Sequence, residues 1–227
     1  MKNLTSLSKK IAASSAAIMV AGLFSGIAGA GTIVGTAHDL SANGFSGGEI
    51  CVVCHTPHDS DTTVVEAPLW NHTLTTVTFD MYASDSLDAI QDAQPTGTSR
   101  LCLSCHDGVT AIDSFGGNTG TIVMGGAPAV GLDGLTNDHP ISIAYDTALS
   151  TVDPGLHDPA TTTVTIGAGG DKTRTGTVDE LMLSAGKVQC SSCHDVHNNF
   201  VGTGTNDQPF LKVSKAGSQI CLTCHDK

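Results

Sequence analysis

The longest hydrophobic run of the chain lies near its start, where a mostly apolar stretch over 11–24 follows a short lysine-containing segment. Ala28-Gly29-Ala30 comes next and has the small residues of a signal-peptidase site. The run is shorter than the ~20 residues that a membrane-spanning helix needs. The pattern therefore predicts a signal peptide over 1–30, cleaved after Ala30, and an exported mature chain with no membrane span.

Beyond the leader, hydrophobic positions show little periodicity, and they predict only three short elements. Residues 161–166 alternate weakly between polar and apolar side chains, which favours a short strand. Residues 84–93 favour a short helix, with Ser84 as N-cap and acidic residues in its first turn. Residues 178–186 favour another short helix. The long spacer over 107–189 is otherwise punctuated by glycine turns.

All eight cysteines fall in four copies of one pattern, Cys-x-x-Cys-His. This pattern is the attachment signature of c-type haem, in which two thiols bond the porphyrin and the histidine binds iron. It predicts four covalently attached haem c groups. The attachment cysteines are Cys51, Cys54, Cys102, Cys105, Cys190, Cys193, Cys221 and Cys224, and the proximal iron ligands are His55, His106, His194 and His225.

Zinc sites and disulfides are the other common uses of paired cysteines. Zinc does not require a histidine directly after the second cysteine, and disulfides within Cys-x-x-Cys would close only tiny loops. An enzyme would need an iron with an open position and nearby acid–base groups. No motif replaces its histidine, and no hydrolytic triad or phosphate loop is present. We therefore expect an electron carrier with no catalytic residues, and keep a multihaem reductase as an alternative.

Six further histidines compete for the four second axial positions. This surplus favours bis-histidine iron throughout, with low reduction potentials. His58 and His197 each lie three residues beyond a proximal histidine, a connection too short to pass around a porphyrin. Each must therefore bind the iron of a different haem, and the second haem for His58 and the fourth for His197 are the obvious partners.

The first and third haems leave His38, His72, His139 and His157 in competition. His139 lies in the rigid segment Asp138-His139-Pro140, which makes it the leading candidate. His157 lies in a loop between two prolines, and we expect it to remain unliganded. The distal candidates are thus His58, His197, His139, His72 and His38.

Composition indicates how such a chain could fold. Aromatic residues are only 4% of the chain, whereas there are 26 glycines, so the polypeptide alone offers little apolar surface. We predict a small multihaem cytochrome fold, mostly coil with a few short helices and minimal strand, wrapped around a chain of four stacked haems. A weak internal repeat divides the domain over 31–227 into two dihaem modules, about 31–125 and 126–227.

The net charge of the chain limits the classes of molecule that we expect it to bind. The leader holds three of the ten basic residues and no acidic one, so its removal shifts the formal charge from −12 to −15. Nucleic acid and anionic lipid require lysine and arginine for binding, and neither is expected as a partner. Other redox proteins or extracellular electron acceptors are the expected partners.

These motifs resemble those of the tetrahaem extracellular cytochromes that polymerise into conducting filaments, the OmcE-like nanowire proteins. The resemblance covers most of the mature chain. It is carried by His38-Asp39-Leu40, C-V-V-C-H-T-P-H at 51–58, P-L-W-N-H at 68–72, C-L-S-C-H-D-G at 102–108, D-H-P-I-S at 138–142 and C-S-S-C-H-D-V-H at 190–197.

The resemblance implies an extracellular or cell-surface filament of head-to-tail subunits with a continuous haem chain. It also implies that one histidine of each subunit binds a haem of the next. By position, His38 on the N-terminal arm is the expected bridge, and the fourth haem at the C-terminus its expected recipient. A monomeric periplasmic electron shuttle with the same cofactors is the alternative.

Overall fold

The computed structural model describes residues 33–126, 129–131, 134–167, 172–197 and 210–226. The predicted signal peptide over 1–30 lies outside these residues. Most of the described chain is coil and turn, with a few short helices and little strand. None of the helices in these ranges is long and apolar enough to cross a membrane.

Two of the short helices contain the cysteine pairs of Cys-x-x-Cys-His motifs. Helix α1 is the longest and ends at the histidine of the second motif, and α4 contains both cysteines of the third. A capping box begins α3, where the Thr177 hydroxyl accepts the Glu180 N–H and the Glu180 carboxylate accepts the Thr177 N–H. The helices are α1 (Gly97–His106), α2 (Thr147–Val152), α3 (Val178–Met182), α4 (Cys190–Cys193) and α5 (Gln219–Leu222).

Four short strands form two separate antiparallel pairs. Strand β1 (Ile143–Ala144) pairs with β4 (Lys187–Val188), and Ile143 lies opposite Val188. Strand β2 (Thr163–Ile166) pairs with β3 (Arg174–Thr177) in a hairpin. The strand predicted over 161–166 is confirmed: it begins at Thr163, and its side chains alternate between exposed and buried.

The helix predictions fared differently. Residues 178–186 do contain a helix, which ends at Met182, but the helix predicted over 84–93 is wrong. The backbone there pairs with a neighbouring segment, because Asp92 donates its N–H to the Ser142 carbonyl and the Ile90 carbonyl accepts the Ala144 N–H. Ser84 uses its hydroxyl in a local contact with Ser86, which competes with helix formation.

Buried side chains form two small clusters rather than one large core. The first joins the β2–β3 hairpin to α3, and the second packs Leu103 of α1 against loop residues. Such small clusters agree with the low aromatic content of the chain. Their members are Tyr145, Val164, Ile166, Val178 and Met182 in the first, and Phe79, Leu103, Leu135 and Ile141 in the second.

Candidate functional site

Each Cys-x-x-Cys-His motif folds as a single helical turn. The histidine N–H donates to the carbonyl of the first cysteine in three copies, at 2.8 Å for His55, 3.0 Å for His194 and 2.9 Å for His225. The second motif lies inside α1 and has the same helical backbone. Residues three and four apart lie on one side of a helix, so each turn presents its cysteines and histidine together.

All eight cysteines are free thiols, with no disulfide among them. Burial, with a smaller contribution from Cys51, raises the pKa of Cys54 to about 11. Burial also raises the pKa of Cys224 to about 11. At neutral pH these two side chains are therefore protonated thiols enclosed by the fold.

The second and third motifs are in direct contact. Helices α1 and α4 pack together, and the Cys190 N–H donates to the Ser99 hydroxyl at 2.9 Å. Thr98 and Ser191 join the same helices through their hydroxyls at 2.6 Å. A hydrogen bond between the Cys102 and Cys190 thiols, together with burial, holds the pKa of Cys102 well above its ordinary value.

The outer motifs adjoin these two. Burial raises the pKa of Cys105 to about 12, and the negative charge of the Cys54 thiolate makes the second-largest contribution. In the same way, Cys193 contributes after burial to the raised pKa of Cys224. Electrostatic effects of this kind act at short range, so the first motif neighbours the second and the third neighbours the fourth. In space the motifs follow one another in chain order.

Three of the four motif histidines lie near another histidine ring. The centres of the His55 and His197 rings are 6.2 Å apart, those of His38 and His106 6.0 Å, and those of His139 and His225 6.3 Å. The rings are nearly parallel in the first pair, at 16°, and steeply inclined in the other two, at 84° and 70°. Each pair joins one motif histidine to one histidine outside the Cys-x-x-Cys-His pattern.

This separation fits two ligands on opposite sides of one metal ion. Imidazole nitrogen binds first-row metals at about 2.0–2.1 Å and lies roughly 1.1 Å from its ring centre, so trans ligands have centres about 6.2 Å apart. Each ring can rotate about its metal–nitrogen bond, so both parallel and perpendicular pairs are compatible with ligation. The three pairs therefore have the spacing that a bis-histidine haem iron requires.

These pairings differ from two expectations drawn from the sequence. His197 lies beside His55 of the first motif, whereas the fourth haem was expected to be its partner. His38 lies beside His106 of the same chain, whereas a haem of a neighbouring molecule was expected. Packing of the third motif against the second brings 190–197 back towards the N-terminal half.

His139 and His72 each make a hydrogen bond of the kind that orients a metal-binding histidine. His139 donates Nδ1–H to the Pro140 carbonyl at 2.9 Å, and His72 donates Nδ1–H to the Thr73 carbonyl at 2.8 Å. His55 donates in the same way to Pro68, at 2.7 Å. Such a bond fixes the tautomer and leaves Nε2 as the ligand atom. In His72 that nitrogen accepts from the Cys105 thiol at 3.5 Å.

The remaining histidines differ in their exposure. His194 is exposed, and no histidine among the described residues lies beside it at the spacing of the three pairs. His58, expected to reach the second haem, is instead exposed. His157, expected to be unliganded, lies against the fourth motif through its backbone N–H, which donates to the Cys224 carbonyl at 2.9 Å.

The first and third motifs have the same local structure. A bridge pairs His55 with Trp70 in one copy and His194 with Leu211 in the other. The carbonyl of the second cysteine accepts an N–H from Asn71 in the first copy and from Lys212 in the second, both at 2.9 Å. The apolar segments that follow the two motifs therefore dock on them in the same register.

Asp107, directly after the second motif, is a site residue that sequence reasoning missed. Its side chain is fully buried, and its oxygens accept hydrogen bonds from Thr75, Val109 and Thr110. Burial raises the pKa of this carboxyl, but the hydrogen bonds outweigh it and hold the pKa below its ordinary value. A signal was present, because an aspartate follows the histidine in three of the four motifs.

Two buried donors favour an additional group in this region. The His38 Nδ1 and Trp70 Nε1 atoms are buried without a hydrogen-bond partner in the described part of the chain. Buried polar groups of this kind are costly unless they are satisfied. Both belong to residues that adjoin the first two motifs, where the carboxylates of a haem could accept from them.

Within the described ranges, no three or more histidine, cysteine or acidic side chains converge as a metal cluster. A haem iron takes only two ligands from the protein, which is the grouping that the histidine pairs provide. Comparison with protein-family models and with curated proteins finds no match to this chain.

Proposed function

We propose that this protein is an exported tetrahaem c-type cytochrome that transfers electrons through closely spaced bis-histidine haems. The observation that carries the proposal is the spacing of the three histidine pairs, each of which contains one motif histidine. Haem supplies the one-electron chemistry, and the polypeptide supplies thioether attachment, axial ligands and enclosure. The fold is then a thin chain wrapped around four macrocycles.

The closeness of the four motifs to one another supports electron transfer along a chain of haems. The Cys102–Cys190 contact brings the attachment sites of the second and third haems together. The outer motifs adjoin these two. Electrons would therefore pass between haems in the order first, second, third and fourth, without leaving the protein.

Assembly into an extracellular filament is the second part of the proposal and rests on the family resemblance. The His38 ring lies beside His106 in its own chain, which favours a different histidine as the bridge. His58 is exposed, and His194 is the motif histidine without a facing ring in the described residues. We propose that His58 of one molecule binds the third haem of the next, a head-to-tail contact that does not close.

The decisive experiment is production of the exported protein in a host that matures c-type haem. Four covalent haems by mass, a fully low-spin ferric spectrum and filaments in electron micrographs are the expected results. Absence of covalent haem would overturn the proposed function. Particles that remain monomeric at every concentration would favour the periplasmic shuttle, and a high-spin fraction in assembled filaments would favour the reductase.

The bridging role has its own test. His58→Ala should abolish filaments and leave one high-spin haem, while His157→Ala, at a histidine with no assigned ligand role, should do neither. Filaments formed normally by the His58→Ala protein would overturn the assignment of the bridge.

A further inference from the structure

The Asp107 carboxylate is held as an anion in the protein interior. Its side chain is 0% exposed, and four donors surround it. Oδ1 accepts the N–H groups of Val109 and Thr110 at 2.8 and 2.7 Å, and Oδ2 accepts the hydroxyls of Thr75 and Thr110 at 2.7 and 2.6 Å. Four converging donors are the environment of a carboxylate, not of a carboxylic acid.

No cation in the described part of the chain neutralises this charge. Within the described ranges, no lysine or arginine lies at salt-bridge distance from Asp107, whereas Asp92 has Lys187 as a partner. The donors to Asp107 are neutral hydroxyl and peptide groups, so its formal negative charge persists. Solvent screens a charge in this position much less than it screens a surface charge.

The charge lies beside one haem attachment site. Asp107 directly follows His106, the proximal histidine of the second motif. Its hydrogen-bond network continues into α1, because the Ser104 hydroxyl accepts the Thr75 N–H at 3.0 Å. Ser104 lies between the two attachment cysteines of that motif. The carboxylate is thus fixed to the same turn that holds the second haem.

We propose that Asp107 sets the reduction potential of the second haem, lowering it by placing an unneutralised negative charge beside the iron. This inference rests on the proposed function. Ferric iron carries one more positive charge than ferrous iron, so a nearby anion stabilises the oxidised form. Reduction adds one electron to the iron and neither forms nor breaks a bond in the protein. Asp107 would act on the iron through the electric field of its carboxylate, without taking part in any bond that changes.

Asp226 provides a matched control. It follows His225 in the fourth motif, which has the same Cys-Leu-x-Cys-His-Asp sequence as the second. Unlike Asp107, it is exposed to solvent. Water and salt screen an exposed charge, so the same substitution there removes the same formal charge with a smaller effect on the nearby iron.

The test is a redox titration of the holoprotein, in which NMR follows the midpoint of each haem separately. Asp107→Asn should raise the midpoint of the second haem by at least a tenfold change in its reduction equilibrium, which is about 59 mV for one electron. Asp226→Asn should shift the fourth haem by less than half as much. An unchanged or lowered second midpoint, or equal shifts in both variants, would overturn the proposal.

Thr75→Val is the alternative test variant if the Asp107→Asn protein does not retain four haems. It keeps the charge and the side-chain shape but removes one donor dipole, so the second midpoint should fall; an unchanged or raised midpoint would overturn the role. Haem content is measured first in every case. A chain without covalent haem overturns the proposed function together with this role, whereas four haems with an unmoved midpoint overturn the role of Asp107 alone.

Discussion

The imidazole rings of His55 and His197 are nearly parallel with their centres 6.2 Å apart, although His55 belongs to the first motif and His197 lies three residues beyond the third. An iron held between them would link the two halves of the chain through one coordination unit. Ligation would close a long loop, so metal binding and folding would be coupled at this point. Cofactor ligands would therefore also be tertiary contacts in a chain whose apolar clusters are small.

Removal of the His197 imidazole should expose one iron of the four. In His197→Ala the first haem stays attached through Cys51 and Cys54 but loses its second ligand. Electron paramagnetic resonance of the ferric protein should then show one high-spin haem beside three low-spin haems. Added imidazole should restore the low-spin signal, because the vacated position accepts an external ligand.

A second variant identifies which haem is affected. In a protein that lacks the fourth haem through Cys221→Ala and Cys224→Ala, His197→Ala should still create a high-spin iron. If the signal instead disappears with the fourth haem, His197 belongs to His225 and the pairing with His55 is wrong.

In a monomeric preparation, His38→Ala should add one high-spin haem to the third haem, which already lacks its bridging ligand there, since the His38 ring lies beside His106 within the same chain. A ligand supplied by a neighbouring molecule would behave differently, because a monomer would already lack it. The measurement is the spin state of dilute protein, shown to be monomeric by analytical ultracentrifugation. Identical spectra for the monomeric wild type and variant would contradict the intramolecular pair.

The cluster around Leu103 should contribute measurably to stability. Leu103 is 1% exposed and packs in the cluster that contains Phe79, Leu135 and Ile141. Leu103→Ala should lower the free energy of unfolding by about 2–5 kcal/mol through lost burial and a cavity. Ile90→Ala is the control: its side chain is 80% exposed, and the expected change is within about 0.5 kcal/mol. Denaturant unfolding of the holoprotein measures both, and equal effects would contradict the assignment of the core.

The Asp92–Lys187 pair should make stability depend on acid pH. Hydrogen bonds from Lys187 and then Thr96 lower the pKa of Asp92. The folded-state pKa lies below the unfolded one, so the contribution is complete above the ordinary aspartate pKa of 3.8 and is lost as pH falls through the folded-state value. The pair is partly exposed, so its size should be about 0.2–1 kcal/mol.

A double-mutant cycle with Asp92→Asn and Lys187→Met measures this coupling by denaturant unfolding. The interaction energy should be smaller at pH 2 than at pH 7, because the carboxyl takes up protons as the pH falls. A coupling of the same size at both values would show that packing, not charge, joins the two side chains.

The sequence predicts structure well where that structure depends on residues close together along the chain. Each Cys-x-x-Cys-His motif marks one helical turn because the spacing of three and four residues is itself helical, and the alternation before Ile166 does mark a strand. The helix expected over 84–93 failed because its backbone groups pair with 142–144. The sequence within ten residues of Ser84 gives no indication of this pairing with 142–144.

The histidine partners depend on long-range packing in the same way. Proximity along the chain favoured the second haem for His58 and a neighbouring molecule for His38. The neighbours that the rings have in the structure depend on the contact of α1 with α4, and that contact depends on small side chains such as Ser99 and Thr98, which have no distinctive pattern in the sequence. The burial of Asp107 was equally hidden, because Asp226 has the same local sequence and is exposed.

The contact between the Cys102 and Cys190 thiols has a consequence for biogenesis. Both sulfurs are enclosed where α1 meets α4, and a macrocycle cannot be inserted between helices that have already closed. Under the proposed function, the machinery that forms thioether bonds would have to reach these two motifs while the polypeptide is still open. Attachment would then come first and compaction second, so the timing of haem delivery would decide whether a newly exported chain matures or collapses empty.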